Sequence, residues 1–339
     1  MEKISIIIPC YNVEKYIARC LDSLLAQTIG QENMELICVN DASTDDTLNI
    51  LLRYENQYPD VFIVICFDEN RGQGAARNTA LSYASGAYIG YVDADDFVKP
   101  DMFEKLYRAL VDYDCDFVEC RWETIDDAGM RQGWGKVGTP GFMDLNIYEN
   151  RVEYIKVSLG MTAVWNKLYK KSFIIDNEIF CPEGLRYEDF FFCFLVYLYA
   201  GRYFRVDEAL YYYYVNNTGT VQNRKAEYQF DKIDVMRLFW DVCRERGLDK
   251  KFPDEIEWFF IEKFYVYMLW EVFSYFPERA YTCYKELKAV LTEFVPNYKE
   301  NKYIDWEESN FDCIMLRLAA ADLDETALMK MREEILSIW

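Results

Sequence analysis

Not one of the 339 residues is histidine, and that absence removes several chemistries at once. No Ser–His or Cys–His nucleophile can form, and no imidazole can ligate a metal. Any acid–base step must rest on carboxylates, Lys, Tyr or Cys. Positive charge is scarce too: 37 Lys and Arg against 58 Asp and Glu leave a formal net charge of −21. That balance argues against nucleic acid as a partner and against unassisted docking on anionic lipid. A small anionic substrate is still allowed, because it needs only local positive groups or a metal. The 11 cysteines are odd in number and contain no CxxC spacing. Cys38, Cys66 and Cys193 sit among apolar neighbours, so zinc clusters and disulfide frameworks are poor readings and a reducing cytoplasm is expected. No apolar run approaches the ~20 residues of a membrane-spanning helix. Met1-Glu2-Lys3, leading straight into an apolar strand, does not read as a signal peptide. Two nucleotide motifs are missing as well. There is no GxxxxGK(S/T) loop, and Gly72-Gln73-Gly74 fails as a dinucleotide fingerprint because Arg77 stands where the third glycine belongs and the stretch follows the third strand rather than the first.

What is present is apolar and aromatic: 52% of the chain is hydrophobic, with 28 Tyr and 23 Phe, enough for a full core and two or more domains. Apolar runs at residues 4–8, 35–39, 61–67 and 87–92 read as buried strands. They alternate with helical spacing at 16–27, in a segment reaching Tyr58 behind Ser43 and Asp46, and at 75–84. Such alternation predicts a Rossmann-like, mainly parallel sheet with helices on both faces. Ligands then belong at the carboxyl ends of the strands, where Pro9-Cys10-Tyr11-Asn12, Asn40-Asp41 and Asp93-Ala94-Asp95-Asp96 all fall. A helix at 103–113 and a strand at 117–122 follow, then a polar loop at 126–141. Beyond residue 224 the pattern is all-helical, with helices expected at 230–246, 253–276, 279–294 and 325–339. The stripe Trp258, Phe259, Phe264, Tyr265, Tyr267 and Trp270 reads as helix packing.

Three acidic or glycine-rich stretches carry candidate chemistry. Asp93, Asp95 and Asp96 put three carboxylates into four positions after a buried strand. A hard divalent cation would relieve their repulsion, whereas the plainer reading is an acidic start to the next helix. An EF-hand is excluded, since Phe97 and Val98 occupy positions that should be polar or Gly. Glycines 72 and 74 allow close backbone approach to a ligand, and Arg77 in the first helical turn could meet a phosphate; the alternative is an ordinary helix start with a surface Arg. Glu188-Asp189 opens the apolar run 190–199. These carboxylates either favour the helix dipole or include a general base of raised pKa.

Together the motifs resemble family 2 glycosyltransferases, inverting enzymes of the GT-A fold. The resemblance covers residues 1 to about 220. It rests on Ser5-Ile6-Ile7-Ile8-Pro9-Cys10-Tyr11-Asn12, Val39-Asn40-Asp41-Ala42-Ser43-Thr44-Asp45 and Asn70-Arg71-Gly72-Gln73-Gly74-Ala75-Ala76-Arg77-Asn78. It continues through Asp93-Ala94-Asp95-Asp96, Trp165-Asn166-Lys167-Leu168-Tyr169 and Tyr187-Glu188-Asp189. It implies a GT-A domain over 1–224, with a nucleotide-binding half at 1–100 and an acceptor half at 101–224, followed by a helical domain at 225–339. It also implies residue roles. Asp41 would accept from the nucleotide base, with Pro9, Tyr11 and Asn12 as the wall around it. Asn70, Gly72 and Ala94 would border the donor, and Arg77 would approach its ribose or diphosphate. Asp93 and Asp95 would touch ribose and a Mn²⁺ or Mg²⁺ ion, with Asp96 as a third carboxylate. Asp189 would be the catalytic base beside Glu188.

The implied reaction moves a sugar from a nucleotide-sugar, a UDP-sugar before GDP- or dTDP-sugars, to a hydroxyl of a glycan or lipid-linked glycan in surface-polysaccharide synthesis. The protein would work in the cytoplasm, free or peripheral at the inner face of the membrane, with the C-terminal helices shaping the acceptor side or a homo-oligomer. One stretch departs from the family: Tyr214, Asn216, Asn217 and Thr220 fill a region where many relatives carry Arg or His, which shifts phosphate neutralisation to the metal, Lys167 or Arg224. A sugar-nucleotide pyrophosphorylase is disfavoured, because Cys10-Tyr11-Asn12 is not its Gly-rich activating loop. A catalytically silent sugar-nucleotide-binding or scaffold protein on the same fold is the remaining alternative.

Overall fold

The computed structural model describes residues 1–126, 129–132, 139–158, 162–215, 231–304, 306 and 311–338. The chain forms two compact units, Met1–Asn223 and Arg224–Trp339.

The first unit is built on one sheet. Strands β1 (Ile4–Cys10) and β2 (Met34–Asn40) are buried at every position, as apolar runs covered on both faces must be. With β3 (Phe62–Cys66) and β4 (Tyr88–Tyr91) they pair in parallel. Helices α1 (Ile17–Leu25), α2 (Thr47–Gln57) and α3 (Gly72–Tyr83) are the crossovers. Helix α1 turns Ile17, Cys20, Leu21 and Leu24 inward, the one-stripe spacing of an amphipathic helix. The chain continues through β5 (Phe97–Val98), α4 (Met102–Asp112), β6 (Phe117–Asp126), β7 (Gly129–Gln132), β8 (Gly141–Asp144), α5 (Tyr148–Ser158), β9 (Lys167–Lys170), α6 (Lys171–Asp176), α7 (Glu188–Tyr199) and β10 (Arg202–Tyr214). Strand order is β3-β2-β1-β4-β9-β6-β10-β5, with β7 on β6 and β8 on β10.

Three details sharpen the expected fold. The sheet is mixed: β1, β2, β3 and β4 pair in parallel, as do β6 and β10, whereas β9 inserts antiparallel between β4 and β6, and β5, β7 and β8 also pair antiparallel. The polar stretch expected to be a loop contains β7, which returns along the extended β6. Helix α3 also starts at Gly72 rather than Ala75, because a carboxylate caps its first amides.

The second unit is helical among its described residues: Asp231–Glu245, Leu248–Lys251, Pro253–Phe259, Tyr267–Tyr275, Ala280–Phe294, Phe311–Ala320 and Glu325–Ile338. The helix expected across 253–276 is interrupted by a π-helical stretch, Phe260–Val266, which re-aims the residues that follow. Trp258, Phe259, Phe264 and Tyr265 are buried and Tyr267 and Trp270 half-buried, so the aromatic stripe is packing. Among the described residues no helix is long and apolar enough to cross a membrane.

Candidate active site at the carboxyl edge of the sheet

Parallel pairing of β1 with β2 and with β4 brings three strand ends to one edge. The chain runs outward in opposite directions from β1, which makes the crevice there the expected ligand site. Around it gather the 9–12 segment, Asp41 and the turn after β4. The fourth component, the start of α7, reaches the site through α3.

The turn 93–96 is held from inside. Asp96 N–H donates to the Asp93 carbonyl at 3.0 Å. Its side chain is fully buried: Oδ2 accepts from the Tyr211 hydroxyl and Oδ1 from the Tyr214 N–H, both at 2.7 Å. The Tyr211 oxygen in turn accepts the Asp93 N–H at 3.2 Å, and the Trp165 ring stacks on Tyr211 with centroids 4.2 Å apart. From the other side Arg19 donates to the Asp95 carbonyl at 2.8 Å, its guanidinium 4.4 Å from the ring centroids of both Phe97 and Tyr214. Burial, then the Asp95 and Asp93 charges, push the Asp96 carboxyl well above the usual carboxylate range, against the two hydrogen bonds. Asp96, expected as a third metal carboxylate, thus has both side-chain oxygens engaged and ties the turn to β10. Among the described residues no group of three or more Cys, Asp or Glu converges as a ready cation site.

Asp93 lies on an ion-pair bridge. Arg77, 3% exposed, donates to Asp93 Oδ1 at 3.0 Å, to Gln73 Oε1 at 3.0 Å and to Glu188 Oε1. The guanidinium expected to approach a phosphate thus holds two carboxylates and an amide through its two terminal nitrogens, while its buried Nε has no hydrogen-bond partner among the described residues. Glu188 is buried against it, whereas Asp189 is half-buried, with Oδ1 accepting its neighbour's Phe190 N–H at 3.0 Å. Burial, followed by the adjacent Glu188 charge, pushes the Asp189 carboxyl up to about 7; Arg77 and the Phe190 amide pull the other way. A carboxyl poised there can take a proton near neutrality.

On the other side of the crevice Asp41 is 3% exposed. Its oxygens accept the Arg71 and Gly72 N–H groups at 2.7 and 2.9 Å, the cap that starts α3. Asn70 donates weakly to the Asp41 carbonyl at 3.4 Å, and Gly72 supplies the φ of +83° this turn needs. Pro9 and Ala94 are buried, while Tyr11 and Asn12 are exposed. Asn12, at φ +53°, accepts the Thr44 N–H at 2.8 Å, tying the β1 end to the loop after β2.

Lys167 does not reach the site. It is fully buried in β9, donating to the Ala163 carbonyl at 2.5 Å and to Asn166 Oδ1 at 2.8 Å, with Glu119 3.5 Å away. Glu119 also takes Arg205 and Tyr203, so the lysine completes an internal charge cluster and cannot neutralise a phosphate. Asn216, Asn217, Thr220 and Arg224 lie outside the described residues. Sequence reasoning missed Tyr211, Arg19 and Asn78. Only Asn78 carried a signal, as the last residue of a recognised motif.

The model of the family described as Glycosyl transferase family 2 matches residues 5–176. Poly(ribitol-phosphate) beta-glucosyltransferase of Bacillus spizizenii is 34% identical over 218 residues, 64% of this chain and 33% of that protein. The uncharacterized glycosyltransferase YibD of Escherichia coli is 29% identical over 272 residues, 75% of this chain and 73% of its own. This chain thus spans about a third of the first relative's length. Among solved structures, residues 1–349 of Staphylococcus aureus TarS in complex with UDP-GlcNAc superpose with a TM-score of 0.73 at 22% identity, covering 99% of this chain and 92% of that one. That likeness establishes the GT-A type of fold.

Proposed function

This chain belongs to glycosyl transferase family 2, and from that premise we propose that it transfers a hexose or N-acetylhexosamine from a UDP-sugar to a hydroxyl of a bacterial polysaccharide or glycan, in one inverting step. The observation that carries the reading is Asp189. It is a half-buried carboxyl pushed up to about 7 at the start of α7, with Arg77 and Glu188 linking that start to Asp93 beside the crevice.

In this reading the acceptor oxygen bonds to the anomeric carbon as the bond from that carbon to the diphosphate oxygen breaks. The acceptor's proton passes to Asp189 Oδ2, while Oδ1 stays with the Phe190 amide. No residue need act as nucleophile, which suits a chain without His. Asp95 and Asp93 are hard oxygen donors that fit Mg²⁺ or Mn²⁺ once a diphosphate supplies further oxygens. Such a cation, when bound, neutralises charge on the leaving group. Tyr11 would cover the base. A carboxylate has about four lone-pair sites, so Asp41 could accept a uracil imide N–H beside its two backbone amides. The TarS complexes with UDP-GlcNAc and UDP support a uridine donor. The free thiols fit a reducing cytoplasm. The acceptor is read as a glycan or lipid-linked glycan, met free in that compartment or at the inner membrane face. Domain 225–339 would shape the acceptor side or a homo-oligomer.

Calorimetry with UDP, GDP and ADP, with and without Mn²⁺, tests the donor, and UDP release from UDP-N-acetylglucosamine and UDP-glucose tests turnover. Tighter, Mn²⁺-assisted UDP binding and measurable release are expected. A preference for GDP would remove the uridine assignment. Binding without release from any nucleotide sugar would leave a silent binding protein.

A further inference from the structure

The base sits at the end of a loop that is fastened to α3 at both ends. Asn78 Nδ2 donates to the Cys181 carbonyl at 2.8 Å and its Oδ1 accepts the Cys181 N–H at 3.0 Å, the paired bonds by which a side-chain amide mimics a neighbouring strand. One turn earlier a Cβ on Gly74 would lie 2.2 Å from the Pro182 carbonyl oxygen, so only glycine lets the backbones meet. At the helix start Arg71 pairs with Glu183 at 2.9 Å. Positions 71, 74 and 78 form one stripe at helical spacing, and residues 181–183 run along it toward the helix start. The chain then turns through Gly184 at φ +73° and Tyr187 at φ +64° and returns to α3 at the Glu188–Arg77 pair. A positive φ at an aromatic residue is strained and persists only where surroundings over-determine it. The two fastenings on α3 do so here, and Asp189 is the next residue.

We propose that Asn78 is a positioning residue for Asp189: by clamping Cys181 it fixes the entry of the loop that aims the base. This rests on the reading of Asp189 as base. Misplacing a reacting group by about 1 Å can cost roughly a hundredfold in rate, so Asn78→Ala is expected to lower turnover roughly ten- to hundredfold while leaving UDP affinity within about twofold. A merely structural role would predict the same loss whatever stands at position 189. The deciding experiment is therefore a cycle, reading UDP release from UDP-N-acetylglucosamine for wild type, Asn78→Ala, Asp189→Asn and the double variant. Asp189→Glu replaces the amide variant where the latter turns over too slowly to measure. The proposal expects the Asn78 loss to vanish in the altered background. Equal losses in both backgrounds, or a parallel fall in UDP affinity, overturn it. Gly74→Ala, whose methyl would push Pro182 away, runs the same cycle as a second probe. If neither variant yields protein that binds UDP, the contacts hold the fold and the proposal falls. Wild-type turnover in Asp189→Asn would instead sink the base assignment itself.

Discussion

Two pairs of adjacent carboxylates, Asp95-Asp96 and Glu188-Asp189, look alike in the chain and are divided in opposite order by the fold. In the first, the second member is buried and saturated by Tyr211 and Tyr214, leaving Asp95 half-buried on the turn. In the second, the first member is buried on Arg77, leaving Asp189 with its raised pKa. In each pair one carboxylate fastens the local backbone to a distant element, β10 in one case and α3 in the other. Its neighbour is thereby held at the crevice. Neighbouring charges in a chain need not share a role, and burial decides which does what.

The comparison breaks most visibly at Asp189. Asp189→Asn should lose roughly two to four orders of magnitude in turnover, the usual worth of a positioned base, while calorimetry finds UDP and Mn²⁺ bound as in wild type. Next comes the metal side: Asp95→Asn should weaken Mn²⁺-assisted UDP binding by at least about tenfold, a change that removal of supporting residues alone can reach. Asp96→Asn should act mainly on melting temperature. If both asparagine variants abolished the Mn²⁺ effect equally, the division drawn between the two aspartates would be wrong.

How much of this was legible depends on range. The parallel core could be read because β1, β2 and β4 are apolar at consecutive positions, and a strand buried on both faces leaves that mark on its own residues. The motif positions around the crevice were legible through the family resemblance. What could not be read were partners far apart in sequence. Lys167 was expected near phosphate, and only the arrival of Glu119 and Arg205 from β6 and β10 shows that it faces inward. Asp96 and Tyr211 are separated by 115 positions, and no local pattern predicts that a tyrosine would claim the third carboxylate. Strand β9 is four residues long, too short for alternation to declare it.

A smaller effect is expected with pH. With the Asp189 carboxyl near 7, its basic form predominates above that value, so kcat/KM in the free protein should rise about tenfold per unit below pH 7 and level off above it. Stability moves the other way. The folded chain holds this proton more tightly than the unfolded chain, so this group's contribution is full below an ordinary aspartate pKa and is lost as pH rises from about 4 toward 7. Asp189→Asn should therefore raise the melting temperature at pH 8 more than at pH 5. An unchanged difference between the two pH values would place the titration elsewhere.

The smallest effect, and the one that sharpens the contrast most, belongs to Tyr211→Phe. The substitution removes a single oxygen from a buried ring stacked on Trp165, so packing is nearly conserved. It leaves Asp96 Oδ2 and the Asp93 N–H each short of a partner. Unsatisfied buried groups cost about 1–3 kcal/mol, and in a unit of this size each kcal/mol lowers the melting temperature by roughly 2–4 °C. A drop of several degrees is therefore expected in scanning calorimetry, with UDP and Mn²⁺ affinities changed by no more than a few fold. If Asp96 were a metal ligand instead, freeing it from Tyr211 would leave it better able to bind the cation. Mn²⁺ affinity would then improve by about tenfold or more in Tyr211→Phe and collapse in Asp96→Asn. The two single-residue variants thus separate an anchor from a ligand by the sign of one binding measurement and the size of one thermal shift.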